Sequence, residues 1–141
     1  MVDAVTKTIL RNDRTLVVHL TNISDGTGES AVVKVDLSAD PNYPTDPGQP
    51  ADYFTVDKIE YNINCADAGT SAGTVALFFD ATVDDLLAVL PPESGCIDWT
   101  CLGGKSDPKS SGYTGDIVLT TNSFLSGDSY DITIYCRAKP A

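Results

Sequence analysis

The side chains of this 141-residue chain that could carry chemistry are one histidine, four cysteines, a short run of aspartates and a glycine-rich turn. His19 lies in TLVVHLTNI, Thr15 to Ile23, where Leu16, Val18 and Leu20 share one face and Val17, His19 and Thr21 the other. A general base needs a partner within hydrogen-bonding reach. None is evident near His19 in the sequence, so it reads as a strand residue. The cysteines are Cys65, Cys96, Cys101 and Cys136. Their closest pair, Cys96-x-x-x-x-Cys101, is wider than the C-x-x-C of zinc knuckles. Free thiols are the preferred reading, with a disulfide or a zinc site left open. Asp80, Asp84 and Asp85 could suggest a metal site or acid–base work, but the Asp-x-Asp-x-Asp-Gly…Glu pattern of a calcium loop is missing. Ser24-Asp25-Gly26-Thr27-Gly28 has glycines for a phosphate cradle, yet a β-branched run follows it where that chemistry requires a lysine and a helix. A hairpin or connecting loop is the better reading.

Nucleophilic catalysis requires a nucleophile with an oriented base. The chain has no G-x-S-x-G, no H-E-x-x-H, no P-loop and no second histidine. Carboxylate-only catalysis, as in glycoside hydrolysis, remains open in principle, but one Trp offers little sugar-stacking surface. The expectation is a protein that is not an enzyme, with no cofactor and no metal.

The elements that would position these groups are strands. The clearest stretch is Gly112 to Lys139, read as two strands, Asp116 to Thr121 and Tyr130 to Arg137, joined as a hairpin by the turn formers of Asn122 to Asp128. In the second run Tyr130, Ile132, Ile134 and Cys136 alternate with Asp131, Thr133, Tyr135 and Arg137. Period two with one apolar face marks a half-buried antiparallel strand, and Cys136 is expected to pack inward as a small hydrophobe. Further strands are expected at Thr6 to Leu10, Thr15 to Ile23, Glu29 to Leu37, Phe54 to Ile63 and Thr74 to Phe79. The run Phe54 to Ile63 slips phase near Asp57-Lys58, which suggests a bulge. Asp80 to Pro92 reads as the one short helix, with Thr82 as cap, Asp84 and Asp85 in the first turn and Pro91-Pro92 as the stop. Glu93 to Ser111 reads as a long connection anchored by Trp99 and Leu102, with Trp99 plugging the end of the sandwich.

Ser38 to Asp52, SADPNYPTDPGQPAD, is the least regular segment. Its prolines remove backbone donors and hold their neighbours extended, so it reads as a long loop or arm. The residues expected to touch a partner are Asp40, Pro41, Asn42, Tyr43, Pro44, Asp46, Pro47, Gln49 and Pro50. The fold expectation is all-β: a single-domain antiparallel β-sandwich over residues 1–141, jelly-roll-like, with one short helix and the Pro-rich arm at 38–52. Nine Lys and Arg against 20 Asp and Glu give a net charge of −11 and a pI of about 4.1. Such a surface repels nucleic acid and anionic membranes. No apolar run approaches the roughly 18 residues of a membrane span, and Met1 to Lys7 carries no basic-then-apolar leader.

Several of these stretches, in this order, resemble a group of small virion structural proteins of tailed bacteriophages, marine phages and cyanophages among them. The residues that carry the resemblance are DGTGESAVVKVD from Asp25 to Asp36, Lys58-Ile59-Glu60-Tyr61, Phe79-Asp80-Ala81-Thr82 with its following acids, Thr114-Gly115-Asp116-Ile117, and Gly127-Asp128-Ser129-Tyr130-Asp131-Ile132. The likeness spans about Thr15 to Lys139 and rests on turn-and-strand patterns, not on a catalytic signature. The Pro-rich insert and the four cysteines depart from it. The resemblance implies a capsid decoration, or cement, protein that binds the major capsid protein lattice and copies of itself as a homotrimer. It would be assembled in the host cytoplasm and located on the capsid surface of the virion. Alternatives are a neck, tail or fibre component, or a carbohydrate-binding β-sandwich module for attachment to a host surface.

Overall fold

Runs of β-branched and aromatic residues in period two form strands because each buries one face while its backbone pairs sideways. The structure, a computed structural model, describes residues 4–41, 50–65 and 73–141. Its strands are β1 Ala4–Asn12, β2 Leu16–Ile23, β3 Val32–Val35, β4 Ala51–Asn64, β5 Thr74–Phe79, β6 Asp85–Leu90, β7 Ser94–Asp98, β8 Lys105–Ser106, β9 Ile117–Asn122 and β10 Ser129–Pro140. They form two sheets. The larger has the order β1-β2-β10-β4-β7, with β8 also on β4, and the smaller has the order β3-β9-β5-β6. Every pairing is antiparallel. The pairs β2–β10, β3–β9, β4–β7 and β5–β6 nest inside one another along the chain. The chain is therefore one long antiparallel ribbon, with β5–β6 at its tip, rolled so that successive pairs fall in opposite sheets. This is the double-sheet jelly roll, with β1 and β8 added at strand edges. Among the described residues the only helical piece is a single 3-10 turn, Thr100–Leu102.

The core lies between the sheets. Leu16, Val18 and Leu20 of β2, Ile132, Ile134 and Cys136 of β10, and Val56, Ile59 and Ile63 of β4 face Val75, Leu77 and Phe79 of β5 and Ile117 and Leu119 of β9. The alternation expected of the last strand is present, with Cys136 fully buried and its thiol donating to Leu16 O at 3.5 Å. The slip at Asp57 is also present. Tyr135 pairs with Lys58 and Cys136 with Val56, leaving Asp57 as the extra residue of a bulge. The bulge turns its carboxylate onto Arg137, whose Nε and Nη2 donate to it at 2.8–3.1 Å.

Several expectations are corrected. Asp80 to Pro92 holds no helix. Asp85–Leu90 is strand β6, hydrogen-bonded along β5. The spacing of Leu86, Leu87, Val89 and Leu90 fits a helix stripe, but a bulge between Leu77 and Phe78 in the pairing lets Leu87, Ala88 and Leu90 all turn inward from a strand. Asp84 caps nothing helical; its Oδ1 accepts from Ala81 N at 3.1 Å and closes a turn. Gly112 to Lys139 is not a hairpin. β9 pairs with β3 and β5, while β10 pairs with β2 and β4 in the other sheet. The turn between them is an arch across the sandwich end. Phe124 plugs it, 5% exposed and tilted against Tyr130 at 6.4 Å. Asp128 braces it, its Oδ2 accepting from Leu125 N at 2.9 Å and its carbonyl from Ser24 N at 2.8 Å. Glu93 to Ser111 is more than a connection, since it contributes β7 and β8. Trp99 is partly buried against the core, whereas Leu102, the other expected anchor, is 78% exposed. The 3-10 turn ends at Gly103 with φ 81°, and the chain leaves before Leu102 can fold inward.

Candidate functional site

The Pro-rich arm was the segment expected to meet a partner. Asn42, Tyr43, Pro44, Asp46, Pro47 and Gln49 lie outside the described residues. Its two roots are described. Asp40 is anchored: its carboxylate takes Lys7 Nζ of β1 at 2.5 Å and Asp36 N at 2.6 Å, and its carbonyl accepts from Asn12 Nδ2 at 2.8 Å. Pro41 is half-buried and Pro50 is exposed. Beyond Pro50, Asp52 accepts from Tyr113 Oη at 2.9 Å and faces Lys109 Nζ at 3.6 Å. The arm thus leaves the sandwich at the edge strand β1 and returns at the 107–113 loop.

The outer faces of the two sheets differ. On the six-stranded sheet, register places Thr8, His19, Thr133, Glu60 and Cys96 in one cross-strand row, and Thr6, Thr21, Asp131, Asn62 and Ser94 in the next. The face is polar and internally bonded. Thr6 and Thr21 share a hydroxyl–hydroxyl bond, and Ser94 Oγ donates to Asn62 Oδ1 at 3.0 Å. A partner for His19 exists after all: Nε2 lies 2.6 Å from Asp131 Oδ1, 112 residues away in sequence. The pair lies on an open sheet surface, with side chains 33% and 58% exposed. Water therefore reaches both groups, unlike the desolvated cleft in which a paired base gains power. A shallow depression of about 500 Å³, lined by Glu60, Asn62, Ser94, Cys96, Asp131 and Thr133, runs beside it.

The four-stranded sheet presents the opposite chemistry. Because Val35, Ile117, Leu119, Leu77, Phe79 and Leu87 point into the core, their neighbours point out. Val33, Val118, Phe78 and Leu86 are register partners in one row across all four strands. Thr120, Ala76 and Val89 form the next. The rim residues Val33, Leu86 and Val89 are 47%, 53% and 50% exposed, while Val118 and Ala76 at the centre are buried. At one end the strands run into Asp116, Asp80 and Asp84. Asp80 N donates to Asp116 O at 3.0 Å, so the backbone ladder between β5 and β9 runs on into these acidic residues. Burial first, then the charges of Asp36 and Asp80, push the Asp116 carboxyl above the ordinary aspartate value.

The glycine-rich turn is a connecting loop from β2 to β3, and it delivers a buried ionic cluster that the sequence did not reveal. Glu29 is paired with Lys34 Nζ. The same carboxylate accepts from Tyr130 Oη at 2.5 Å and from Asn22 Nδ2 at 2.9 Å. The cluster ties β2, β3 and β10 together. A second buried acid, Asp107, is 4% exposed. Its Oδ1 accepts from Lys109 N at 2.8 Å, and burial, then Asp85 and Asp52, raise its carboxyl above the usual range. The four cysteines are unbridged, and burial pushes the Cys136 thiol up. Among the described residues, no group of three or more His, Cys, Asp or Glu is placed to hold a metal ion. No helix of the described residues is long and apolar enough to cross a membrane. No family model and no curated protein matches the chain.

Proposed function

We propose that this chain is a phage virion structural protein, a decoration or cement subunit that binds the outer lattice of the major capsid protein. The observation that carries the reading is the apolar outer face of the four-stranded sheet. An outward-facing sheet surface is ordinarily polar, and a contiguous apolar patch bordered by charge marks a protein–protein contact. The phage resemblance of the turn-and-strand motifs supplies the partner. The jelly roll is used by viral capsid and lectin domains alike, so the architecture is compatible with the reading without selecting it. Binding as a homotrimer through other surfaces, with the Pro-rich arm reaching a neighbouring subunit, belongs to the same proposal.

The test is the protein's abundance in purified particles. A decoration subunit appears in a stained gel at lattice stoichiometry, one oligomer for each local symmetry axis; a few copies per particle place it at the neck or tail instead. Particles lacking it release DNA at lower temperature than complete ones, and equal release temperatures contradict cementing. A second reading, a carbohydrate-binding module, is favoured by the hydroxyl-, amide- and carboxylate-lined depression on the six-stranded sheet. Saturable binding on a glycan array, lost on Asn62→Ala, supports that reading.

A further inference from the structure

We propose that the outer face of the four-stranded sheet is the docking surface, and that its occupant is a different protein that presents an apolar strip bordered by Lys or Arg, not a second copy of this chain. The inference rests on the virion reading for the partner's identity and adds which face meets it, and by what chemistry. The row Val33-Val118-Phe78-Leu86 crosses all four strands, the row Thr120-Ala76-Val89 crosses three, and neither contains a charged residue. Dehydrating this strip is the attractive part of the contact. Asp116, Asp80 and Asp84 close one end of it. They have neutral partners there: Thr114 Oγ1 donates to Asp80 Oδ2 at 2.7 Å, Ala81 N to Asp84 and Leu37 N to Asp116 at 2.8 Å.

Charge selects between the possible occupants. The chain carries −11. Of its few cations, Lys7, Arg11, Lys34, Lys58, Lys109 and Arg137 are each paired with a carboxylate of the same chain, and Lys105 is spent on Leu87 O at 2.8 Å. Two copies stacked on this face would bring two acidic borders and two net-negative bodies together with few cations available to offset them. A surface with basic residues at the matching end is attracted over the Debye length and fixed in register by the aspartate border. Electrostatic complementarity of this kind speeds encounter and makes it salt-dependent, while the apolar strip holds the complex.

The experiment uses the full chain and particles assembled without it. Three proteins are compared by co-sedimentation: the wild type, Leu86→Ser/Val89→Ser on the proposed face, and Thr8→Asn at an exposed position of the opposite sheet. The exposure of Leu86 and Val89 predicts that the double variant folds, which its thermal melt checks. Expected are wild-type binding by Thr8→Asn, at least a tenfold loss for the double variant, and wild-type binding that weakens as salt is raised. A partial variant, Asp84→Asn, keeps the acceptor for Ala81 N and loses a few-fold with a shallower salt dependence. Binding of the double variant at wild-type strength overturns the docking face while leaving the virion reading intact. Absence of wild-type binding to particles removes both. Loss of self-association by the double variant in sedimentation analysis assigns the face to a second copy and refutes the occupant proposed here.

Discussion

Replacing Lys34 by Met tests how the buried cluster at the β2–β3 loop works. The Lys34 and Glu29 side chains are 5% and 7% exposed, so neither charge is shared with bulk water. Met retains most of the aliphatic stem, so the perturbation is the loss of the ammonium group. Glu29 is then left, among the described residues, with Tyr130 Oη and Asn22 Nδ2 as neutral donors. Stranding one member of a buried ion pair costs about 3–5 kcal/mol, a large share of the roughly 5–15 kcal/mol that holds a domain folded. With a urea slope of about 2 kcal/mol/M for a protein of this size, the unfolding midpoint falls by about 2 M. The double variant Glu29→Gln/Lys34→Met removes both charges and leaves an amide oxygen for Tyr130 and Asn22. Its stability returns to within about 1 kcal/mol of wild type, because desolvation of the pair offsets most of its attraction. Equilibrium urea unfolding followed by far-UV circular dichroism measures all three proteins. A Lys34→Met loss below about 1 kcal/mol, or a double variant no better than the single, would refute the assignment of this pair as a buried, mutually dependent contact.

Asp107→Asn gains stability, and the gain grows with pH. The folded-state carboxyl is raised by burial and by Asp85 and Asp52, so its contribution is fully present below the ordinary value of 3.8 and is lost as pH rises through the folded value. Melting temperatures of both proteins converge in acid and separate toward neutrality; a constant difference contradicts the argument. Gly115→Ala is expected to cost about 2–3 kcal/mol, because φ is +85° and a Cβ would lie 2.2 Å from Leu37 Cδ2 and 3.0 Å from Asp52 O. Gly103→Ala, at φ +81° with open space around it, costs only about 1 kcal/mol, and equal losses in urea titrations would remove the packing part of the argument. A thiol reagent modifies the exposed Cys96 and Cys101 in the native state, whereas Cys136 reacts only on unfolding; mass spectrometry of timed samples reads the order.

The strands legible in the sequence were those whose burial pattern follows their own alternation. β10 and β5 fall where period two or a short apolar run places them, and the slip at Asp57 marks a bulge because inserting one residue shifts the inward phase. β6 is ambiguous in the sequence because Leu86, Leu87, Val89 and Leu90 satisfy a helix stripe as well as a bulged strand. Hydrogen bonding to β5, not propensity, decides between them. The turn after β9 carries the same residues whether the chain doubles back in its sheet or arches to the other. Only the competition of β2, β3, β4 and β5 for its edges resolves that.

The same division holds for the surfaces. Taken alone, the amino-acid sequence determined an acidic all-β chain with a half-buried last strand, an inward Cys136 and an irregular proline-rich segment, since each of these follows from composition or from neighbours in the chain. It could not join His19 to Asp131, Glu29 to Tyr130, or Val33 to Val118, Phe78 and Leu86. Those groupings depend on which strands lie side by side and in what register. Pairing energies between segments tens of residues apart set both, so the tertiary structure alone decided that one outer face of the sandwich is polar and the other apolar.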